Sequence, residues 1–153
     1  MQLTLHADYA YRTLLYLGSQ PPDRVVSTEE ISRAYGISKH HLVRVIQTLS
    51  VHGYVDVNPG RSGGVALARE AHLIRLGDVM RSVESNLKIV ECFDPATNTC
   101  PIISICDLKP VLGEALNAFL AVLDRYTLAD LLSRRRRTTL SKAFEVFNDR
   151  NEQ

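Results

Sequence analysis

The 153-residue sequence has no tryptophan, only three cysteines and no long apolar run. A membrane-spanning helix needs about 18 or more predominantly apolar residues, and the first residues lack the basic and apolar segments of a secretion signal. An odd number of cysteines argues against a disulfide-stapled secreted domain. We therefore expect a cytoplasmic protein with no membrane contact, whose thiols are free or hold a metal centre.

A charge excess of one sign is also missing. The 18 Lys and Arg residues against 17 Asp and Glu leave a net charge of +1, so total charge neither favours nor excludes a nucleic-acid partner. The sequence further shows no phosphate-binding loop, paired carboxylates or Ser/His/Asp or Cys/His arrangements, which argues against a hydrolytic or transferase enzyme. With 45% apolar residues, the chain can still bury a core.

The first half of the sequence has the pattern of a helix-turn-helix. Apolar residues recur every three or four positions from Leu5 to Leu17, which predicts an amphipathic helix. Ser27 stands three residues before Glu30, which is typical of a capping box at a helix start. After Gly36, Ser38 is a candidate N-cap of a third helix. Its predicted buried face is Leu42, Val45, Ile46 and Leu49.

A β-hairpin is predicted directly after these helices. Residues 54–57 and 65–68 read as strands, and the glycine-rich segment 58–64 reads as the turn between them. Further helices are predicted at 76–83 and 108–123. The predicted fold is mainly α with a small β-wing, a winged helix-turn-helix plus a long dimerisation helix. Its expected divisions are 1–70 for DNA binding, 71–132 for the cysteine loop and dimerisation, and 133–153 as a basic tail.

The third helix and the hairpin turn carry the candidate DNA-binding residues. Recognition helices present such side chains to the major groove, where Arg or Lys reads guanine and Gln reads adenine. The turn could lie along the backbone or the minor groove. A solvated helix face and an ordinary hairpin turn are the alternatives. The candidates are Ser38, Lys39, His40, His41, Arg44 and Gln47 on the helix and Arg61, Ser62 and Gly63 in the turn.

All three cysteines lie in one predicted loop with the spacing Cys92-x7-Cys100-x5-Cys106. Thiolates suit zinc or an iron–sulfur cluster. Zinc lacks an obvious fourth partner, because a CxxC pair and a nearby His-x3-His are absent. A cluster held by three cysteines and one weaker ligand is one alternative, and three unligated thiols are the other.

Together these segments resemble the winged-helix iron–sulfur repressor family that includes NsrR, RirA and IscR. The resemblance covers residues 1–132, and the combination is specific although each piece alone is not. The segments that carry it are Met1–Thr4, Asp8–Ala10, Tyr35–Leu42, Gly60–Leu67, Ile74–Val79, the three-cysteine loop and Tyr126–Leu131.

The resemblance implies a homodimeric DNA-binding repressor controlled by its cluster. Cys92, Cys100 and Cys106 would be ligands of a 4Fe-4S cluster, with 2Fe-2S as the alternative. In nitric-oxide-sensing members typified by NsrR, an aspartate of the partner subunit is the fourth ligand, and Asp8 matches it. Asp8 could instead only favour its helix N-terminus through the helix dipole. Arg12, one turn later, could pair with Asp8 or screen the cluster's charge.

Two alternatives to nitric oxide sensing stay open. The cysteine loop also resembles RirA, an iron-responsive repressor whose residue matching Asp8 is commonly Asn. IscR fits less well, because a histidine follows its third cysteine where this chain has Asp107-Leu108-Lys109. From a different class, the chain could be an iron–sulfur redox protein. The four arginines Arg134–Arg137 could add a phosphate contact or form a solvated linker.

Overall fold

Up to residue 132 the regular elements follow the predicted order, with three additions. The computed structural model describes residues 2–22, 24–60, 63–84, 86–133, 136–140 and 142–144, so the predictions for Arg61, Ser62, Arg134 and Arg135 lie outside the described residues. Short 3-10 turns at Ala71–Leu73 and Glu91–Phe93 and the last helix were not predicted. The helices are α1 Leu5–Ser19, α2 Thr28–Tyr35, α3 Lys39–Val51, α4 Leu76–Val83, α5 Leu108–Asp124 and α6 Leu128–Leu131, and the strands are β1 Val55–Asn58 and β2 Gly64–Leu67.

Local sequence signals explain where the helix-turn-helix begins and turns. Ser38 caps α3 by accepting a hydrogen bond from the His41 amide at 3.4 Å, as predicted. Gly36 ends α2 at a φ of 63°, a left-handed conformation that glycine adopts without steric cost. Ser27 caps α2 through the Glu30 amide. Glu30 itself does not return the bond to Ser27, because its carboxylate accepts from the Tyr16 hydroxyl at 2.8 Å and pairs with Arg24.

The wing is a two-stranded antiparallel hairpin, as predicted. Val55 pairs with Leu67 and Asn58 with Gly64. A bridge that the sequence did not predict joins the hairpin to the segment before α2, through mutual backbone hydrogen bonds between Val26 and Val65. This third contact fixes the wing relative to the helix-turn-helix.

One hydrophobic core joins the wing, the helix-turn-helix and the elements that follow them. The predicted inner face of α3 is buried, and Ile74, Val79 and Leu128 belong to the same core. The divisions at 70 and 132 are therefore functional ones and stay predictions. The predicted fold class, mainly α with a small β-wing, is confirmed. No helix within the described ranges has the length and apolar character needed to span a bilayer.

Helix α5 is the exception to this burial. Only Leu120 of its 17 residues is buried, although α5 packs against α4 and a bidentate ion pair between Arg81 and Asp124 at 2.7 Å joins the two helices. Five of its exposed apolar residues follow alternating spacings of three and four, the pattern of a helix that packs against another helix. This exposed seam consists of Leu108, Val111, Ala115, Ala118 and Val122.

The C-terminal segment returns to the first two helices. Residues 136–140 and 142–144 are helical, and the Arg137 guanidinium donates to the Leu132 carbonyl at 3.0 Å. Phe144 is 9% exposed, with its ring 4.9 Å from that of Tyr16 and 5.0 Å from that of Tyr35. The tail is therefore docked through an aromatic cluster in its described part.

Phe144→Ala should release this tail from the domain. We expect the free energy of unfolding to fall by less than the about 3–5 kcal/mol of a core Phe→Ala change, because only the terminal segment undocks. Hydrogen exchange at residues 136–140 should accelerate. Lys142→Ala, at an exposed position of the same segment, should leave exchange unchanged. Equal exchange in the two variants would contradict the docking.

Candidate DNA interface and cysteine loop

The predicted recognition residues share one exposed surface. Ser38, Lys39, His40, His41, Arg44 and Gln47 are all exposed along α3, opposite its buried face. Lys39 and Gln47 lie two turns apart and line a groove of about 340 Å³ between α3, the start of α2 and the wing. Gly63 lines the wing side of this groove. The described residues therefore place helix and wing candidates on the same side of the domain.

Two features of this surface escaped the sequence reasoning. Val43 is 40% exposed between Lys39 and Gln47, and an apolar side chain here can contact a thymine methyl. Glu29 of α2 pairs with Lys39 at 3.3 Å. Both partners are largely exposed, so the pair is weak and Lys39 can exchange it for a phosphate. The exposure of Val43 follows from the α3 periodicity, whereas the Glu29 contact depends on how α2 packs.

Helix α1 contacts α3 and carries Asp8 close to the point of contact. The His6 Nε2 atom lies 3.1 Å from the Thr48 hydroxyl, and the Tyr9 and His41 rings are 6.2 Å apart. Asp8 forms a bidentate pair with Arg12, at 3.0 Å from Nε and 2.7 Å from Nη2. This hydrogen bond with Asp8 raises the pKa of Arg12.

The Asp8 carboxylate is accessible to a second chain. Its side chain is 39% exposed, and that of Arg12 is 43% exposed. An exposed pair of this i,i+4 type contributes only a few tenths of a kcal/mol. Asp8 can therefore leave Arg12 for a stronger partner at little cost.

Hydrogen bonds organise the first part of the cysteine loop. The Glu91 carboxylate accepts from the Thr99 amide at 2.6 Å and from its hydroxyl at 2.7 Å. These hydrogen bonds lower the pKa of Glu91. Because Glu91 precedes Cys92 and Thr99 precedes Cys100, the contact draws the chain next to both cysteines together. Cys106 lies two residues before α5 begins.

The three thiols are half-buried and none forms a disulfide. Within the described ranges, no three His, Cys, Asp or Glu side chains are grouped to hold a single metal ion. The donor chemistry still fits an iron–sulfur cluster, because such clusters bind several thiolates around more than one iron.

Residues 3–134 match the family model of Rrf2, described as an iron-dependent transcriptional regulator. The chain belongs to the Rrf2 family. It is 46% identical over 133 residues to the HTH-type transcriptional regulator NsrR of Halalkalibacterium halodurans, covering 87% of this chain and 91% of that one. It is also 46% identical over 132 residues to the NsrR of Bacillus subtilis, covering 86% and 90%.

Solved structures agree with this family. T. potens IscR is 27% identical with a TM-score of 0.69 and 86% coverage of both chains. CymR, the global cysteine regulator of B. subtilis, is 23% identical with a TM-score of 0.67 and coverage of 86% and 96%, which supports the fold alone. The predicted resemblance is confirmed, and the chain is similar to relatives named NsrR. This Rrf2 protein is a DNA-binding transcriptional regulator.

The Rrf2 model ends before the docked tail. The match stops at residue 134, whereas Leu140 and Phe144 of the tail pack against the core. The sequence analysis predicted no contact for this segment. The signal that could have suggested docking is the spacing of three and four between Leu140, Ala143, Phe144 and Phe147, which is typical of an amphipathic helix.

Proposed function

We propose that this protein is a cytoplasmic, homodimeric repressor that holds an iron–sulfur cluster and releases its operator in response to nitric oxide. The observation that carries the proposal is the loop of three free, half-buried thiols in a chain 46% identical to NsrR proteins, with the chain next to Cys92 and Cys100 held together by the Glu91–Thr99 hydrogen bonds. Cys92, Cys100 and Cys106 would hold the cluster, either 4Fe-4S or 2Fe-2S. When bound, such a cluster supplies iron that reacts with nitric oxide.

The exposed seam of α5 supports the homodimer. A soluble chain rarely leaves a contiguous apolar stripe uncovered unless a partner packs on it. Leu108 is 60% exposed, Val111 59% and Val122 45%. Two antiparallel or crossed copies of α5 would cover both seams at once, since a twofold interface uses the same patch on both subunits.

The dimer also explains how two recognition helices act together. Operator half-sites are roughly 34 Å apart, one turn of the double helix. Each α3 would insert Lys39, Arg44 and Gln47 into a major groove, while Ser38 holds a phosphate. The distance between the two α3 helices therefore decides whether both half-sites are bound.

Asp8 is proposed to tie the two subunits together. Its carboxylate would leave Arg12 and bind the partner subunit's cluster as the fourth ligand. An oxygen ligand is harder and more labile than a thiolate. Release of Asp8 would remove the tie between α1 and the partner subunit. Because α1 contacts α3 through His6 and Tyr9, the spacing of the recognition helices could then change.

Asp8→Ala should shorten the lifetime of the cluster in air by about tenfold or more, since it removes a ligand. Arg12→Ala is the matched control, because it removes the intrachain partner of Asp8 and leaves the carboxylate. We expect the Arg12 variant to keep a wild-type lifetime or a longer one. The decay of visible absorbance measures the cluster lifetime of each variant, and a DNA-binding assay measures its operator affinity. Equal lifetimes for the Asp8 variant and wild type would contradict the bridging role.

An iron-responsive repressor is the second candidate, since the family model carries an iron-dependent description. It would use the same cysteines and the same DNA surface. The two candidates differ in one measurement. An iron chelator alone, without nitric oxide, should release the operator from an iron-responsive protein and leave a nitric oxide sensor bound.

A further inference from the structure

Glu84 occupies an unusual place between the cysteine loop and the DNA-reading helices. It is the one charged residue that the core buries within the described part of the chain, with 9% of its surface exposed. It is the C-cap of α4, so the chain leaves α4 at this residue and enters the segment that carries the three cysteines. A buried carboxylate without partners is costly, and the identity of its partners therefore matters.

Among the described residues, the two groups that donate hydrogen bonds to the Glu84 carboxylate both belong to Thr4. Its Oε2 atom accepts from the Thr4 amide at 3.1 Å and from the Thr4 hydroxyl at 3.0 Å. The same hydroxyl accepts from the Ala7 amide at 3.2 Å and so caps α1. The Thr4 carbonyl accepts from the Asp8 amide at 3.1 Å. Glu84 thus holds the residue on which the first turn of α1 is built.

The first turn of α1 is also fixed to the recognition helix. The Thr48 hydroxyl donates to the Arg44 carbonyl at 3.2 Å. It has one hydrogen, so it accepts from His6 Nε2 across their 3.1 Å contact. Residues 4–8 therefore connect the base of the cysteine loop at one end to the backbone of Arg44 at the other.

We propose that Glu84 is a positioning residue that couples the cysteine loop to α3 through Thr4 and His6. The inference rests on the proposed function only in assuming that the loop differs between cluster-loaded and cluster-free protein. A displacement of the loop base moves Glu84, and the two hydrogen bonds carry that movement to the first turn of α1. His6 then passes it to α3 within the same subunit, in parallel with the bridge that Asp8 makes between subunits.

The test compares Glu84→Ala with Glu84→Gln in the full chain. The alanine variant has no acceptor for Thr4, whereas the glutamine amide oxygen can accept both hydrogen bonds. In cluster-free protein, hydrogen exchange at Ala7 and Asp8 should be at least tenfold faster in Glu84→Ala and near wild type in Glu84→Gln. Thr4→Val, which removes the hydroxyl at nearly constant volume, should resemble the alanine variant.

The second readout is the ratio of operator Kd between the cluster-free and cluster-loaded forms. Glu84→Ala should reduce this ratio at least fivefold, and Glu84→Gln should restore it. A merely structural role would weaken both forms equally and leave the ratio unchanged, which would overturn the coupling. Glu70→Ala removes a carboxylate with an 80% exposed side chain and should change neither exchange nor ratio.

The two proposals fail in different ways. A wild-type protein that binds its operator equally well with and without a cluster would overturn the proposed function before any variant is made. If the wild type binds its operator more tightly with the cluster than without it, and Glu84→Ala has the same ratio of Kd values, only the coupling is overturned. Unchanged exchange at Ala7 and Asp8 would overturn the hydrogen-bonded link itself.

Discussion

Ala118→Asp should convert the protein to a monomer and weaken operator binding by about 100-fold or more. Two linked recognition helices bind at least that much more tightly than a single one. Ala118 lies in the middle of the exposed seam of α5. A carboxylate there would be buried against apolar side chains of the second copy, which is costly unless the charge is paired. Light scattering measures the mass, and fluorescence anisotropy measures the operator affinity.

The neighbouring residue provides the control for this variant. Asn117 is exposed and lies about 100° around the helix from Ala118, outside the seam. Asn117→Asp adds the same charge to the same turn of α5, so it should remain dimeric with wild-type affinity. Monomers from both variants would indicate a general loss of α5, and dimers from both would contradict the assignment of the seam.

Serine at Cys92, Cys100 or Cys106 should abolish cluster binding and leave the fold intact. A serine hydroxyl stays protonated at neutral pH and is a poor iron ligand, so iron per chain should fall about tenfold or more. The cysteines form no disulfide and are half-buried. The free energy of unfolding of the cluster-free protein should therefore change by less than about 1 kcal/mol.

The control for the serine variants changes a neighbour in the same loop. Ile102 is 51% exposed, and Ile102→Ser introduces a hydroxyl without removing a thiol. It should retain iron and the visible absorption. Full iron content in any one of the three cysteine variants would remove that residue from the ligand set. Iron loss in the Ile102 variant would show that iron content depends on the structure of the loop rather than on the thiols.

The elements that the sequence predicted are those specified by neighbouring residues. Ser38 and Gly36 determine the start of α3 and the end of α2 through local backbone geometry, and the spacing of Leu42 and Leu49 identifies the buried face of α3. These features need no knowledge of the rest of the chain. The predicted bounds of α4 agree with the observed Leu76–Val83.

The contacts that escaped prediction join residues far apart in sequence. Glu30 has the position of a capping-box residue, but its carboxylate accepts a hydrogen bond from Tyr16 and pairs with Arg24. Glu84 meets Thr4 across 80 positions. The four-residue helix α6 is too short to show a periodicity. Tertiary packing decides such pairings. A single sequence therefore shows which side chains can form hydrogen bonds or ion pairs, but not which of them contact each other.

In the candidate site, the sequence supplied the residue types and the structure supplied their arrangement. The exposed side of α3 followed from its periodicity. The link between Glu91 and Thr99, which draws the chain at Cys92 and Cys100 together, did not. The pair of Asp8 and Arg12 was anticipated from their spacing of four on one helix, and it is present at 2.7 Å.

The most direct test of the account is a nitric oxide titration of anaerobically purified protein on DNA selected from random sequence by the cluster-loaded form. Visible absorbance and operator binding are followed in one sample, with Cys100→Ser as the control that lacks a cluster. Absorbance and operator affinity should fall together, with at least a tenfold loss of affinity. Loss of the absorbance while the operator stays bound would contradict control of DNA binding by the cluster.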